Sequence, residues 1–294
     1  MKQIVCYGEV LWDMLPTGKK LGGAPLNVAL RMQAFGCSTK VISSIGNDAA
    51  GNSIVEQMKL HNATTDHLQV SQKYASSEVL VTLNNEGSAS YEIKMPCAWD
   101  DIQLLEKNKT IVNAADTFIY GSLVARQLTS RETLFALLKF SKFKVFDVNL
   151  RAPNYELNTL LTLMKQADFI KFNDDEIFEL SLAMCGKKLS LEDSIHFFSQ
   201  ETQTPSICVT LGADGAVLFQ NNEFVYNKGY NVKVKDTVGA GDSFLATLIY
   251  QLLNNASAHT ALNNACAIGA IVASKEGANP IINNKEIQEI MQKT

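Results

Sequence analysis

Short apolar runs recur along this chain, each separated from the next by a stretch of helical periodicity, and few architectures accommodate that order. Gln3 to Tyr7, Lys40 to Ile45, Thr117 to Tyr120, Lys144 to Phe146, Ala167 to Lys171 and Ser206 to Thr210 are the strand candidates. Strands joined through helices pair in parallel, and a parallel sheet is covered on both faces. The expected fold class is therefore α/β, with a central, mostly parallel sheet and helices on both faces. With 294 residues the chain can bury a large core, and residues 1–294 are expected to fold as one domain. The pattern changes between Ser77 and Lys94. There Glu78 to Leu83, a turn at Asn84-Asn85-Glu86-Gly87 and Ser90 to Lys94 read as a hairpin, an antiparallel insertion into the parallel order.

The stretch Asp236-Thr237-Val238-Gly239-Ala240-Gly241-Asp242-Ser243-Phe244 is the strongest candidate for chemistry. Phe244, Leu245, Leu248, Ile249, Leu252 and Leu253 recur at helical spacing directly after it, so its glycines sit at a helix N-terminus. Unpaired backbone N–H groups and the positive end of the macrodipole converge there, which suits an anion such as a transferring phosphoryl group. Without a Cβ at Gly239 and Gly241, the backbone can approach a ligand closely. Asp242 falls in the first turn, where a carboxylate either stabilises the helix by about 0.3–1 kcal/mol or serves chemistry.

In open α/β sheets ligands gather beyond the carboxyl ends of strands. Asp13 follows the first strand, and Asp147-Val148-Asn149-Leu150-Arg151 and Asn173-Asp174-Asp175-Glu176 follow two others. Helix capping by Asn173 or Asp174 is the bland account of the last cluster, and it leaves Arg151 and Glu176 unassigned. Leu21-Gly22-Gly23-Ala24-Pro25-Leu26-Asn27 leads into a helix through Phe35 that Gly36 can terminate. Thr210-Leu211-Gly212-Ala213-Asp214-Gly215 is either a hairpin turn or a phosphate loop. A helix from His259 to Ser274 is dense in alanine, interrupted by Asn263-Asn264 and closed by Gly277; its small residues suit close packing.

Several function classes are disfavoured. Lys and Arg total 26 against 30 Asp and Glu, a net charge of −4 without a basic block, so nucleic acid is not expected as a partner. Residues 1–10 hold neither a signal-peptide apolar core nor a spanning segment, which leads us to expect a cytoplasmic protein with no membrane association. Cys6, Cys37, Cys97, Cys185, Cys208 and Cys266 are scattered, and His61, His67, His196 and His259 are isolated, a distribution that does not suit zinc. No G-x-G-x-x-G follows the first strand, which speaks against a nicotinamide-dependent oxidoreductase.

The nonapeptide around Asp242 resembles the second signature of the PfkB, or ribokinase-like, family of sugar kinases, and Gly22 to Asn27 resembles the first. The likeness runs from Gly8 to about Pro280. It implies a ribokinase-like fold in which a small β-sheet lid, built from about residues 10–21 and 76–98, covers the sugar and, in many relatives, mediates a homodimer. It also implies transfer of the ATP γ-phosphoryl group to a sugar hydroxyl with Mg2+. By this resemblance Asp242 is the catalytic base, and Gly239, Ala240 and Gly241 form an anion hole assisted by Arg151. Asp13, Gly22, Gly23, Asn27 and Asn149 face the sugar; Thr210, Gly212, Gly215 and Asn263 face the nucleotide. Asn173 and Glu176 act on magnesium through water, and carbonyls near Asp236 and Val238, with the turn from Ala273 to Asn279, enclose a potassium ion.

The opening Gly8-Glu9, Gly22-Gly23-Ala24-Pro25-x-Asn27 and Asp147-Val148-Asn149-Leu150-Arg151 look most like the fructokinase branch. A carboxylate, close backbone and an amide suit a neutral sugar better than a sugar acid, which needs a cationic partner. D-fructose, phosphorylated at its 6-hydroxyl, is the expected substrate, with ribose and 2-keto-3-deoxygluconate as alternatives. A non-catalytic sugar or nucleotide sensor on the same fold is the alternative of a different class.

Overall fold

The computed structural model describes residues 1–15, 18–83 and 89–292. They pack as two compact units, Met1–Lys142 with Arg151–Tyr155, and Phe143–Leu150 with Glu156–Thr294.

In the first unit the elements are β1 (Gln3–Tyr7), β2 (Leu11–Leu15), β3 (Gly18–Gly22), α1 (Ala24–Ala34), β4 (Ser38–Gly46), α2 (Ala49–Leu60), β5 (Leu68–Ser71), β6 (Ser77–Leu83), β7 (Ala89–Ile93), α3 (Glu106–Ala114), β8 (Thr117–Gly121) and α4 (Leu128–Leu138). β1 lies between β4 and β8 and is parallel to both, with β5 parallel to β4 beyond it. The consecutive residues Ile4, Val5, Cys6 and Tyr7 are all buried. Successive side chains of a strand point to opposite faces, so both faces of β1 are covered. Tyr7 tolerates this position because its hydroxyl donates to the Ser130 carbonyl at 2.7 Å. A separate small sheet has the order β3-β2-β6-β7, with β2 antiparallel to β3 and parallel to β6, and β7 antiparallel to β6. The two segments expected to form a lid thus build one sheet. Periodicity does not single out β2, and the turn expected at Asn84 to Gly87 lies outside the described residues.

In the second unit the elements are β9 (Lys144–Asp147), α5 (Leu157–Met164), β10 (Phe169–Asn173), α6 (Asp174–Cys185), α7 (Leu191–Thr202), β11 (Ser206–Thr210), β12 (Ala216–Gln220), β13 (Glu223–Asn227), α8 (Ala240–Leu253), α9 (Ala258–Ala273) and α10 (Asn284–Met291). The strand order is β13-β12-β11-β10-β9: β9, β10 and β11 are parallel, and β12 and β13 continue antiparallel. β10 starts two residues later than expected, because Ala167 still closes the turn after α5 by donating to the Met164 carbonyl at 3.0 Å. α9 runs unbroken through the asparagine pair. Asn264 bonds back to the Thr260 carbonyl at 2.8 Å, satisfying its amide without displacing the helix ladder.

The fold is thus α/β, a large, mostly parallel sheet with helices plus a small separate sheet. Among the described residues no helix is long and apolar enough to cross a membrane. The six cysteines are free, five of them buried.

Candidate active site

The expected loop and helix form as the glycine spacing dictates. Gly239 caps α8 in the left-handed conformation, with φ +75°. A Cβ there would overlap Ala278, reaching 2.5 Å from its Cα and 2.8 Å from its carbonyl oxygen, so this position needs glycine for both torsion and space. Gly241, the second residue of α8, is different. A Cβ there would have Lys171 Nζ, at 3.7 Å, as its sole neighbour within 4 Å among the described residues. Its N–H, one of the orphan donors of a helix start, meets no acceptor among the described residues. Asp242 is the third residue of the helix and half-buried.

Beneath this helix start lies a buried cluster of charges. The β9–β10 register sets Lys171 beside Asp147, and the ammonium donates to Asp147 Oδ1 at 2.8 Å with both side chains buried. Burial alone pulls the lysine down, but Asp147, Glu176 and Asp242 together push it up to about 12. Glu176, in the first turn of α6, accepts from the Leu150 N–H and the Asn173 N–H, both at 2.8 Å. Asn173 Oδ1 accepts from the Glu176 N–H, completing a capping box. Capping therefore accounts for Glu176 as well as Asn173. Burial raises the Glu176 carboxyl, and Lys171 opposes that shift.

Around the nucleotide candidates, β11 and β12 form an antiparallel hairpin whose turn carries Gly212 and Gly215. The Thr210 hydroxyl donates to the Phe172 carbonyl at 3.4 Å. Asn263 on α9 accepts from Asn227 at 2.7 Å and contacts His259 at 3.1 Å. Asp236 ties two loops together, accepting from the Val238 N–H and the Gly277 N–H, both at 3.0 Å. The segments expected to enclose a monovalent ion, near Asp236 and Val238 and from Ala273 to Asn279, are thus adjacent.

In the first unit, Asp13 on β2 lies against Gly22 on β3. A Cβ on Gly22 would collide with the Asp13 carboxylate, so glycine admits the acid to this position. Gly23 caps α1 at φ +110°, and a Cβ there would overlap the Glu9 carbonyl. Asn27, one turn into α1, is buried, and its N–H donates to the Gly23 carbonyl at 2.9 Å. Lys20 is the register partner of Asp13, and Lys19 sits 4.5 Å from the centroid of the Trp12 ring. Arg151 belongs to this unit, and Asn149, with φ +38°, belongs to the second. The structure therefore brings Asp13, Gly22, Gly23 and Asn27 together in one unit. In the other it brings together the Gly239–Asp242 turn, Asn173 and Glu176.

The pfkB family carbohydrate kinase model matches residues 1–285. The chain belongs to the pfkB family. It is 26% identical over 308 residues to fructokinase-2 of Solanum habrochaites, covering 95% of this chain and 92% of that one. An uncharacterized sugar kinase of Pyrococcus horikoshii superposes with a TM-score of 0.84 at 27% identity, covering 99% of this chain and all of the other. The same enzyme has also been solved in complex with ATP. Fructokinase of Vibrio cholerae, solved with fructose, ADP and a calcium ion, superposes with a TM-score of 0.84 at 25% identity, covering 99% of each chain.

This pfkB family member carries two buried charged residues near the Gly239–Asp242 turn to which the sequence motifs give no role, Asp147 and Lys171. The available signal was a lysine inside the otherwise apolar strand Phe169-Ile170-Lys171-Phe172, since a fully buried lysine is rare unless paired.

Proposed function

We propose that the protein is an ATP-dependent kinase that phosphorylates a primary hydroxyl of a small neutral sugar, D-fructose to fructose 6-phosphate. The observation that carries this reading is the helix start at Gly239 to Asp242, which joins a carboxylate to the Gly241 N–H, without an acceptor among the described residues, and to the open space beside it, while the Ala240 N–H donates to the Thr237 carbonyl at 3.2 Å. The sugar hydroxyl attacks the γ-phosphorus, the bond to the β-phosphate oxygen breaks, and Asp242 takes the hydroxyl proton as ADP leaves. The Gly239–Gly241 N–H groups and Arg151 hold the charge that develops on the transferring group. Asp13, Gly22, Gly23, Asn27 and Asn149 orient the sugar. Thr210, Gly212, Gly215 and Asn263 hold the nucleotide.

Among the described residues no three His, Cys, Asp or Glu side chains converge on a metal position. The oxygen donors of Asn173 and Glu176 suit a hard cation, so a Mg2+ ion carried by the nucleotide and reached by them through water is part of this reading. When bound, that ion neutralises phosphate charge. Potassium beside the anion hole is part of the same reading, supported by the adjacency of the two loops tied by Asp236. The family model runs through both compact units, which supports treating residues 1–294 as one ribokinase-like domain. A homodimer through the lid is part of the same reading. A cytoplasmic location is part of the same reading, and the net charge of −4 speaks against a nucleic-acid partner.

Fructose is favoured over a sugar acid because the Lys19 charge rests on Trp12 and Arg151 is given to phosphate. The fructose-bound Vibrio cholerae relative adds support. A single observation favours 2-keto-3-deoxygluconate as a second reading: the β2–β3 register sets a lysine, Lys20, opposite Asp13. The test is kcat/KM for fructose, ribose and 2-keto-3-deoxygluconate in a coupled ADP-release assay. Fructose leads; a tenfold excess for either rival, about 1.4 kcal/mol of transition-state preference, overturns the substrate but not the kinase. Sugar binding without turnover overturns the kinase.

A further inference from the structure

Lys171 is buried, yet it donates to only one acceptor. An ammonium has three N–H donors, and among the described residues this one bonds only Asp147 Oδ1, at 2.8 Å. A lysine held inside the fold merely to balance Asp147, Glu176 and Asp242 gains most by donating to several of them. Here both Glu176 oxygens are taken by backbone N–H groups instead. Gly241 is close by: a Cβ added there would stand 3.7 Å from Nζ and meet nothing else within 4 Å among the described residues, so the missing side chain leaves space beside the ammonium. That is also where the α8 N-terminus directs its positive end.

We propose that Lys171 is a catalytic residue whose ammonium, held by Asp147, binds the transferring phosphoryl group from beneath Gly241. This rests on the kinase reading above and adds a fixed cation to the anion hole. Asp147 is then a positioning residue. Its single bond to Nζ leaves the other two donors uncommitted among the described residues, and its Oδ2, buried and unbonded among them, leaves the ammonium one anchor. A cation that bonds the phosphoryl oxygens more strongly as they gather charge acts on turnover rather than on sugar or ADP affinity.

The test uses the full-length enzyme and Lys171→Met, with the double variant Lys171→Met/Asp147→Asn to avoid stranding a buried carboxylate. Calorimetric titrations with ADP alone and with ADP plus aluminium fluoride, both with fructose present, compare the ground state with a mimic of the transferring group. Lys171→Met lowers kcat by about 10²-fold or more, the span for losing one preorganised donor. The tightening that fluoride produces falls at least about tenfold, while ADP affinity and sugar KM stay within about threefold. Equal fluoride tightening in variant and parent, or equal losses for ADP and its fluoride complex, overturns the assignment. Should neither variant fold, 15N-lysine labelling of the unmodified enzyme decides: the Lys171 Nζ signal shifts with the fluoride complex and not with ADP alone, and an unmoved signal refutes the contact. An unmodified enzyme that turns over no sugar refutes the kinase reading instead, so the two failures are separable.

Discussion

Two glycines two residues apart face opposite constraints, and substituting alanine at each separates folding from chemistry. At Gly239 the left-handed backbone costs a residue with a Cβ about 1–2 kcal/mol. The added carbon also falls 2.5 Å from Ala278 Cα and 2.8 Å from its carbonyl oxygen. Neither atom can rotate away, so overpacking adds about 1–3 kcal/mol. Gly239→Ala is therefore expected to lose about 2–5 kcal/mol, a large share of the 5–15 kcal/mol typical of a folded protein. At Gly241 the added carbon meets, among the described residues, Lys171 Nζ alone at 3.7 Å, an ordinary contact, in a helical residue. Alanine is the better helix former by about 1 kcal/mol in a helix interior, so Gly241→Ala should be neutral or slightly stabilising. Its methyl group nevertheless occupies the face assigned to the phosphoryl group, and a displacement of about 1 Å there costs about 10²-fold in turnover. Urea denaturation midpoints read the first effect and coupled ADP release the second. Gly241→Ala with near-normal turnover refutes the placement of the phosphoryl group. Gly239→Ala as stable as the parent refutes the steric argument.

Asp242→Asn retains the fold and ATP binding, checked by melting and titration, and lowers kcat by about 10²–10⁴-fold; near-normal turnover removes Asp242 from the base role. Replacing potassium with tetramethylammonium at constant ionic strength slows the enzyme, whereas an unchanged rate shows that the loops joined by Asp236 hold no monovalent ion. Arg126→Met strands the Asp100 carboxylate, which accepts two bonds of 2.8 Å from the guanidinium with each side chain 2% exposed. Denaturation should show a loss of about 3–5 kcal/mol, and a loss under about 1 kcal/mol means the pair behaves like a surface ion pair.

What the sequence conveys here follows the range over which each signal acts. The Gly239–Asp242 turn is local: two glycines, a first-turn acid and an apolar stripe specify a helix start without reference to the rest of the chain, and the structure has that start at Ala240. Gly23 and Asn173 are local too, each beginning the helix that follows it. β2 is harder to see, because Leu11 to Leu15 has few residues and its neighbours β3 and β6 make it a strand. The role of Glu176 is ambiguous for another reason. A capping box and an outer-sphere metal contact ask for the same residue three positions after Asn173, so residue type cannot separate them. Lys171 shows where reading one strand at a time stops. A lysine among Phe169, Ile170 and Phe172 announces a buried charge, but its partner lies 24 residues away and is chosen by the parallel register of β9 on β10. A shift of one residue in that register would turn Asp147 to the opposite face of the sheet and take from the ammonium the acceptor it bonds. The ion pair and the register therefore specify each other. That coupling places a cation under Gly241, where an N–H at the helix start alone is a weaker attraction for a transferring phosphoryl group.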